Sequence, residues 1–345
     1  MELHLHLEGS ISESFKDRLA GRRPHARGRG RKAPLICQGF DSFLHAFRDV
    51  CQLLRSEDDL RRVVRELGRR LRRERVRHAE VYFSPQVHVH NGFSYERIFA
   101  SLANGCEEVR AMGGPSLYLI ADGVRQWGPE AFEGMVDHLL AHASWPVVAV
   151  GLGGDENSYP ARPFSRAFQR AREGGLAAVV HAGEIGSASA VAGVLECLNP
   201  VRIAHGIRAV DDPELLGQLA MLRIPLDVCL TSNCRTGAVL SLAEHPLPRL
   251  LKAGVLVSLG TDDPALFRTT LSLEYVRAAS LGLDRATLGG LACQAAAGSL
   301  LPQAGRRKLA RQIHRAWETW SLASATGAAE NSNPLKNEDR TRLGE

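Results

Sequence analysis

Eight short apolar runs recur along the chain, and a segment with helical periodicity follows each of them. Several runs, such as residues 146–151, are almost continuously hydrophobic, which is typical of strands buried on both faces of a parallel sheet. Eight strand–helix units in about 300 residues predict a (β/α)8 TIM barrel, an α/β fold. The predicted strands are residues 3–7, 79–84, 117–121, 147–152, 177–181, 202–205, 225–229 and 255–260.

An open, doubly wound sheet is the competing architecture for this pattern. The G-x-G-x-x-G fingerprint of its dinucleotide-binding version does not follow the first predicted strand, which weakens that alternative. Residues 41–74 predict two helices, so we expect extra helices between strands 1 and 2. The predicted barrel domain covers residues 1–325, and residues 326–345, which hold few apolar side chains, are predicted to be a disordered tail.

The composition excludes several classes of protein. The 345 residues are 44% hydrophobic and 23% charged, which is ordinary for a globular protein and argues against a mainly disordered one. No apolar run approaches the roughly 18 residues of a membrane span, so we expect no membrane partner. The net charge of +5 is mild, and almost all of the positively charged residues are arginines. No aromatic platform accompanies these arginines, so we expect no nucleic-acid partner.

The cysteines and the N-terminus bear on location. The seven cysteines are scattered and form no C-x-x-C pair, which fits a reducing compartment better than a disulfide framework. The first residues lack a basic and then apolar leader, so a secretory signal is not predicted. We therefore expect a cytoplasmic protein.

Potential metal ligands stand at the carboxyl ends of four predicted strands, where the catalytic residues of a TIM barrel lie. His4 and His6 end the first strand, and residues i and i+2 of a strand point the same way, so both imidazoles can share one metal. The barrel would collect seven polar side chains in one site: His4, His6, His181, Glu184, His205, Asp262 and Asp263.

Each of these motifs is weak when taken alone. A lone His-x-His is more often a surface or packing feature, and the Thr-Asp-Asp-Pro string from residue 261 can be a turn or a helix start. A second His-x-His, at His88 and His90, follows Pro85 and precedes Asn-Gly, so we predict a loop and no ligand pair there. The coincidence of four motifs at the same end of four strands favours a metal site.

The donor set indicates which metal and how many. Three imidazoles and one carboxylate suit Zn2+ and leave a position for water. Two-metal barrel hydrolases typically bridge their metals with a carboxylated lysine on strand 4, and none of the lysines falls on a predicted strand. We therefore predict one Zn2+ per chain. A different zinc-site pattern, His-x-Glu with Pro-Cys-x-x-Cys, is absent from the sequence.

As a set, these strings resemble the adenosine deaminase family of the amidohydrolase superfamily. The resemblance runs from residue 1 to about residue 300 and is specific for 6-aminopurine deaminases and their close relatives. The matching strings are His4-Leu5-His6-Leu7-Glu8-Gly9-Ser10, Gly154-Asp155-Glu156, His181-Ala182-Gly183-Glu184, Arg202-Ile203-Ala204-His205-Gly206, Thr231-Ser232-Asn233 and Thr261-Asp262-Asp263-Pro264.

The resemblance implies a hydrolytic deamination in which hydroxide adds to C6 of the purine and ammonia leaves. Zn2+ would lower the pKa of its water towards ~7. His205 would orient the hydroxide, and Glu184 would protonate ring nitrogen N1 as a general acid. Asp262 would serve both as a metal ligand and as a catalytic residue. The implied metal ligands are His4, His6, His181 and Asp262.

The resemblance also implies three contacts with the substrate. Asp263 would lie near N7 of the purine, and the backbone N–H of Gly154 would meet N3. Glu8 stands where family members that act on adenosine usually carry an aspartate that meets the ribose. Glutamate also occurs there in adenine deaminases and in deaminases of 6-amino-6-deoxyfutalosine, a nucleoside of a menaquinone route.

Several strings, such as residues 79–85 and 262–267, are similar to the aminodeoxyfutalosine branch. We therefore expect a small-molecule 6-aminopurine nucleoside as the substrate, either adenosine or a derivative such as 6-amino-6-deoxyfutalosine. The alternative is an adenine deaminase, followed by a nucleoside-binding barrel without catalysis. Monomeric and homo-oligomeric states both stay open. The Arg-rich segment 20–34 is predicted to be a solvated loop, the alternative being an electropositive lid for a carboxylated substrate.

Overall fold

The computed structural model describes residues 1–21, 39–142 and 144–325. Eight parallel strands follow one another around a barrel in chain order, each paired with the next. Hydrogen bonds from His6 N to Asp262 O (2.7 Å) and from Thr261 N to His4 O (3.1 Å) join the first strand to the segment after the last. The strands are β1 Glu2–His6, β2 His78–Phe83, β3 Ser116–Val124, β4 Val147–Gly153, β5 Ala177–Ala182, β6 Arg202–His205, β7 Leu226–Val228 and β8 Val257–Leu259.

The (β/α)8 prediction is confirmed, and the eight predicted strands are found with small shifts at their ends. The largest extension is in β3, which continues to Val124 because Asp122, Gly123 and Val124 stay in register with β4. The helices around the barrel are α1 Glu13–Gly21, α2 Phe40–Cys51, α3 Glu57–Arg73, α4 Pro85–His90, α5 Tyr95–Ala111, α6 Gly128–Ala141, α7 Ser165–Glu173, α8 Ala188–Leu198, α9 Pro213–Leu222, α10 Leu230–Arg235, α11 Leu247–Lys252, α12 Leu271–Ser280 and α13 Arg285–Gly298.

The predicted extra helices between β1 and β2 are present as α2 and α3, and α1 precedes them. A capping box starts α3: the Ser56 hydroxyl accepts from the N–H of Asp59, and the Asp59 carboxylate accepts from the N–H of Ser56 (both 3.1 Å). Of the Arg-rich segment 20–34, residues 20 and 21 end α1, and the rest lies outside the described residues.

The prediction of a loop at His88 and His90 is wrong, because both residues lie in α4. Pro85 begins that helix, where proline's fixed φ and missing N–H cost nothing. His88 is buried and hydrogen-bonded to Glu8 rather than exposed in a turn.

The barrel interior is layered. One fully buried layer is apolar and consists of Tyr82, Ile120, Ala149, Val179 and Ala204. At the amino end of β6, the buried guanidinium of Arg202 donates to Glu80 Oε2 (2.7 Å) and to Asp227. Because these charges satisfy one another, this end of the barrel is structural, and the polar groups available for chemistry lie at the opposite end.

The chain divides into two compact units, Met1–Leu300 and Leu301–Glu345. The first contains the barrel, and the described part of the second contains the helix α14 Gln303–Ala325. The predicted domain end at residue 325 stays a prediction, and the predicted tail, residues 326–345, lies outside the described residues. Over the described ranges, each helix is too short or too polar to cross a lipid bilayer.

Candidate active site

Three imidazoles and one carboxylate converge at the carboxyl end of the barrel. The Nε2 atoms of His6 and His181 are 3.2 Å apart. Asp262 Oδ1 lies 3.4 Å from Nε2 of His4 and 3.4 Å from Nε2 of His6. The alternation of β1 turns both of its histidines inward, and β5 and the segment after β8 supply the other two groups. The four predicted metal ligands are therefore brought together.

This donor set fits a divalent metal. Within the described part of the chain, neither ring nitrogen of the buried His4 has a hydrogen-bond partner. Burial, the largest cause, lowers the pKa of His6 to about 4, and burial with the neighbouring imidazoles holds the pKa of His181 well below its usual range. Neutral imidazoles keep the lone pair that a metal needs, and tetrahedral ligands at about 2.1 Å from Zn2+ stand roughly 3.4 Å apart.

Two of the site residues have an unusual backbone conformation. His205 (φ 63°) and Asp262 (φ 61°) both adopt the left-handed region, which residues other than glycine rarely enter. Burial works to raise the pKa of Asp262, but His4 and the other imidazoles around it hold that pKa well below its usual range. The Ser232 hydroxyl donates to Asp262 Oδ2 (2.5 Å). Strain of this kind concentrates at functional sites.

Glu184 lies beside this cluster and is nearly buried. The hydroxyl of Thr236 donates to its Oε1 (3.0 Å), and Nε2 of His205 lies 3.6 Å from its Oε2. Burial raises the pKa of Glu184 to about 7, with His205 opposing the shift. A carboxyl group with that pKa is half protonated at neutral pH and can act as a general acid.

A cavity of about 160 Å³ opens beside the cluster and is lined by His6, His181, Glu184, His205 and Asp262. Its apolar lining comes mainly from α2, through Phe40, Phe43, Leu44 and Phe47. Gly154 also lines it with φ +103°, a backbone conformation that residues with a Cβ rarely adopt, which favours glycine there. A flat apolar ring with polar edges suits such a cavity.

The other two predicted substrate residues lie deeper. Glu8 is fully buried and accepts hydrogen bonds from Ser84 N (3.0 Å) and His88 Nε2 (2.8 Å). Asp263 is fully buried and packs against Gly9. A Cβ added to Gly9 would lie 1.7 Å from Oδ1 of Asp263. Neither belongs to the described residues that line the cavity.

Sequence reasoning missed two carboxylates that support the site. Glu156 accepts hydrogen bonds from four consecutive backbone N–H groups, residues 183–186 (2.6–2.9 Å). Asp122 Oδ1 lies 3.7 Å from Nδ1 of His181. Glu156 stands in one of the recognised strings without an assigned role, and Asp122 follows the predicted end of its strand, so neither gave a signal of its own.

The chain is similar to known proteins over most of its length. The family model for adenosine deaminase matches residues 1–316. The chain belongs to the adenosine deaminase family. An aminodeoxyfutalosine deaminase of Acidothermus cellulolyticus is 38% identical over 82% of this chain and 83% of that protein. The resemblance seen in the sequence is thereby confirmed, and this adenosine deaminase family member is a hydrolytic deaminase of purines.

Two solved structures of relatives extend the comparison. The adenine deaminase of Arthrobacter aurescens has a TM-score of 0.85 and 31% identity, covering 91% of this chain and 97% of that one. An amidohydrolase of Burkhoderia ambifaria with bound Zn has a TM-score of 0.84 and 26% identity, covering 95% of this chain and 92% of that one. This family member thus shares its barrel with an adenine deaminase and with an amidohydrolase that binds Zn.

Proposed function

We propose that the protein is a Zn2+-dependent deaminase that hydrolyses a 6-aminopurine nucleoside, adenosine or a derivative such as 6-amino-6-deoxyfutalosine, to the 6-oxo purine and ammonia. The observation that carries the proposal is the position of Glu184, a buried acid, beside a cluster of imidazoles and a carboxylate. An acid and a metal site so close together suit a reaction at two adjacent atoms of one ring.

His4, His6, His181 and Asp262 would hold one Zn2+. When bound, the ion lowers the pKa of water and so makes a nucleophile available at neutral pH. Gly154 lies on the cavity wall, where its N–H would orient the purine through N3. We assign Asp263 to N7 and Glu8 to the sugar side, as the family resemblance implies, although both are buried behind the cavity surface.

The proton chemistry belongs to Glu184 and His205. Protonated Glu184 would donate to N1, which makes C6 electrophilic, and would take part in the proton transfers that release ammonia. His205, whose Nε2 faces Glu184 and Asp262, would hold the attacking oxygen in place by a hydrogen bond. Water adds to C6, a tetrahedral carbon forms, and the C–N bond breaks.

The nucleoside assignment is supported by the identity to the aminodeoxyfutalosine deaminase relative. Adenine is the second candidate, and a specific observation favours it. The Glu8 carboxylate is already engaged by His88 and Ser84, and α2 contributes four apolar side chains to the lining of the cavity. This lining suits a bare ring at least as well as a sugar.

A substrate panel tests the proposal. Adenine, adenosine, deoxyadenosine, 5′-methylthioadenosine and aminodeoxyfutalosine are compared by the ultraviolet change on loss of the 6-amino group. We expect the highest kcat/KM on a nucleoside, about one zinc per chain, and loss of activity in Glu184→Gln with zinc retained. A preference for adenine would replace the nucleoside assignment, and a zinc-free active enzyme would overturn the metal assignment.

We also propose a cytoplasmic location and a small-molecule partner only. The unpaired cysteines at positions 51, 106, 197, 229, 234 and 293 support a reducing compartment. Fractionation of the native host, with the enzyme located by its deaminase activity, would test the location.

A further inference from the structure

A buried chain of hydrogen bonds leads from the start of α11 to His205. The backbone N–H of Leu247 donates to Nδ1 of His245 (3.1 Å). Nε2 of His245 lies 3.2 Å from Oδ1 of Asn233, and Nδ2 of Asn233 lies 3.1 Å from Nδ1 of His205. All three side chains are buried, so each contact is shielded from exchange with bulk water.

The direction of every bond in this chain follows from its first member. A backbone N–H can only donate, so Nδ1 of His245 must present a lone pair. Burial, the largest cause, lowers the pKa of His245 to about 4, so this ring is neutral and its single proton is on Nε2. That proton must be given to Asn233, which fixes the oxygen of the amide towards His245.

The orientation of the amide then decides the state of His205. With its oxygen turned to His245, Asn233 presents its NH2 group to Nδ1 of His205, which must accept. The proton of a neutral His205 is therefore on Nε2. That atom lies 3.6 Å from Glu184 Oε2 and 3.8 Å from Asp262 Oδ2.

We propose that Asn233 and His245 are positioning residues that hold His205 in its Nε2–H tautomer. In that tautomer His205 presents a hydrogen-bond donor, and not a base, to the reacting oxygen at the metal side of the site. The inference rests on the proposed function for the role of His205, but the tautomer itself is a property of the resting protein.

The isosteric variant Asn233→Asp tests this directly. A carboxylate at position 233 can only accept, so it would draw a proton onto Nδ1 of His205 and reverse the arrangement. His245→Gln is the companion variant, because a glutamine N–H can still donate to Oδ1 of Asn233. Asn157→Asp is the matched control, since Asn157 also donates its amide near this end of the barrel, to Ile185 O (3.3 Å), without touching His205.

The tautomer is read from long-range 1H–15N spectra of the zinc-loaded, 15N-histidine-labelled protein, with His205 assigned from a His205→Gln sample. We expect Nε2–H in the wild type, His245→Gln and Asn157→Asp, and a protonated Nδ1 in Asn233→Asp. Since the variant removes one correctly placed donor, kcat of Asn233→Asp should fall about 10²–10³-fold. KM should stay close to the wild-type value.

Other outcomes have distinct meanings. An Nδ1–H tautomer in the wild type, or an unchanged tautomer in Asn233→Asp, would overturn the inference. A loss of kcat with an unchanged tautomer would show that Asn233 acts only through packing, which also overturns it. Failure of the nucleoside panel would leave these spectra interpretable, because they require no substrate.

Discussion

Glu156 holds the backbone of Glu184, the acid of the site, through a carboxylate that caps the loop after β5. Its Oε2 accepts from Gly183 N (2.6 Å), and its Oε1 accepts from the N–H groups of Glu184 (2.9 Å), Ile185 (2.8 Å) and Gly186 (2.7 Å). Four donors on one carboxylate leave the loop little freedom, so the direction of the Glu184 side chain is set by a residue on another loop.

Replacing this carboxylate by an amide should therefore disturb catalysis. In Glu156→Gln one oxygen becomes an NH2 group. Both oxygens of Glu156 accept from backbone N–H groups, so the NH2 group must face at least one N–H, and two hydrogen-bond donors then repel each other. We expect kcat to fall by about 10²-fold through misplacement of Glu184 and stability to fall by about 1–3 kcal/mol. Steady-state kinetics and urea unfolding measure both. Glu196→Gln, at an exposed ion pair, is the control and should change neither.

The raised pKa of Glu184 predicts the pH dependence of the reaction. Because burial raises this pKa to about 7, the protonated form that donates to N1 is lost as pH increases through that value. The kcat/KM, which reports groups of the free enzyme, should therefore decrease above pH 7. A pH–rate profile of zinc-loaded enzyme checks this, and a kcat/KM that is flat or increasing from pH 7 to 9 would contradict it.

The fold could be predicted because several strands, such as β4, are apolar on both faces, which makes them visible as short uninterrupted runs. The end of β3 could not, since Asp122 and Gly123 are not apolar and their strand geometry comes from pairing with β4. Pro85 and Asn-Gly flank His88 and His90, and this pattern predicts a loop. The structure has a helix there because a proline in the first turn is compatible with a helix.

The convergence of His4, His6, His181 and Asp262 could be predicted because strand alternation and strand ends place residues with little dependence on loops. The residues that hold the site in position could not be predicted. Glu156 acts on backbone groups 27–30 residues further along the chain, and Asn233 acts on a ring 28 residues away, so both depend on how loops fold against each other. The residue types alone carry no signal for such contacts.

Asp122 should strengthen metal binding through His181. The recess that holds its carboxylate exists because β4 has glycines there: a Cβ on Gly151 would meet Asp122 Oδ1 at 2.3 Å, and one on Gly153 would meet Oδ2 at 2.6 Å. Nε2 of His181 faces the other imidazoles, and Asp122 Oδ1 stands 3.7 Å from Nδ1 of His181, within ion-pair distance but beyond that of a hydrogen bond. We expect Asp122→Ala to bind Zn2+ about 10–100-fold more weakly.

Competition with a coloured chelator measures that affinity. Asp155→Asn removes a nearby carboxylate that caps Asn157 N (3.0 Å) and does not contact His181, so its zinc affinity should equal that of the wild type. An unchanged affinity in Asp122→Ala, or an equal loss in both variants, would contradict a role through His181.

We expect the aromatic ring of Tyr82, and not its hydroxyl group, to support the site. Its ring lies 5.0 Å from those of His4, His6 and His181, whereas its buried hydroxyl has no hydrogen-bond partner among the residues that the structure describes. Removing an unsatisfied hydroxyl should leave stability unchanged or raise it by about 1 kcal/mol, so Tyr82→Phe should unfold at the same or higher urea concentration. Tyr82→Ala, which removes the support beneath the imidazoles, should cost about 3–5 kcal/mol and release zinc more readily. A clear destabilisation by Tyr82→Phe alone would show that the hydroxyl has a polar partner in solution.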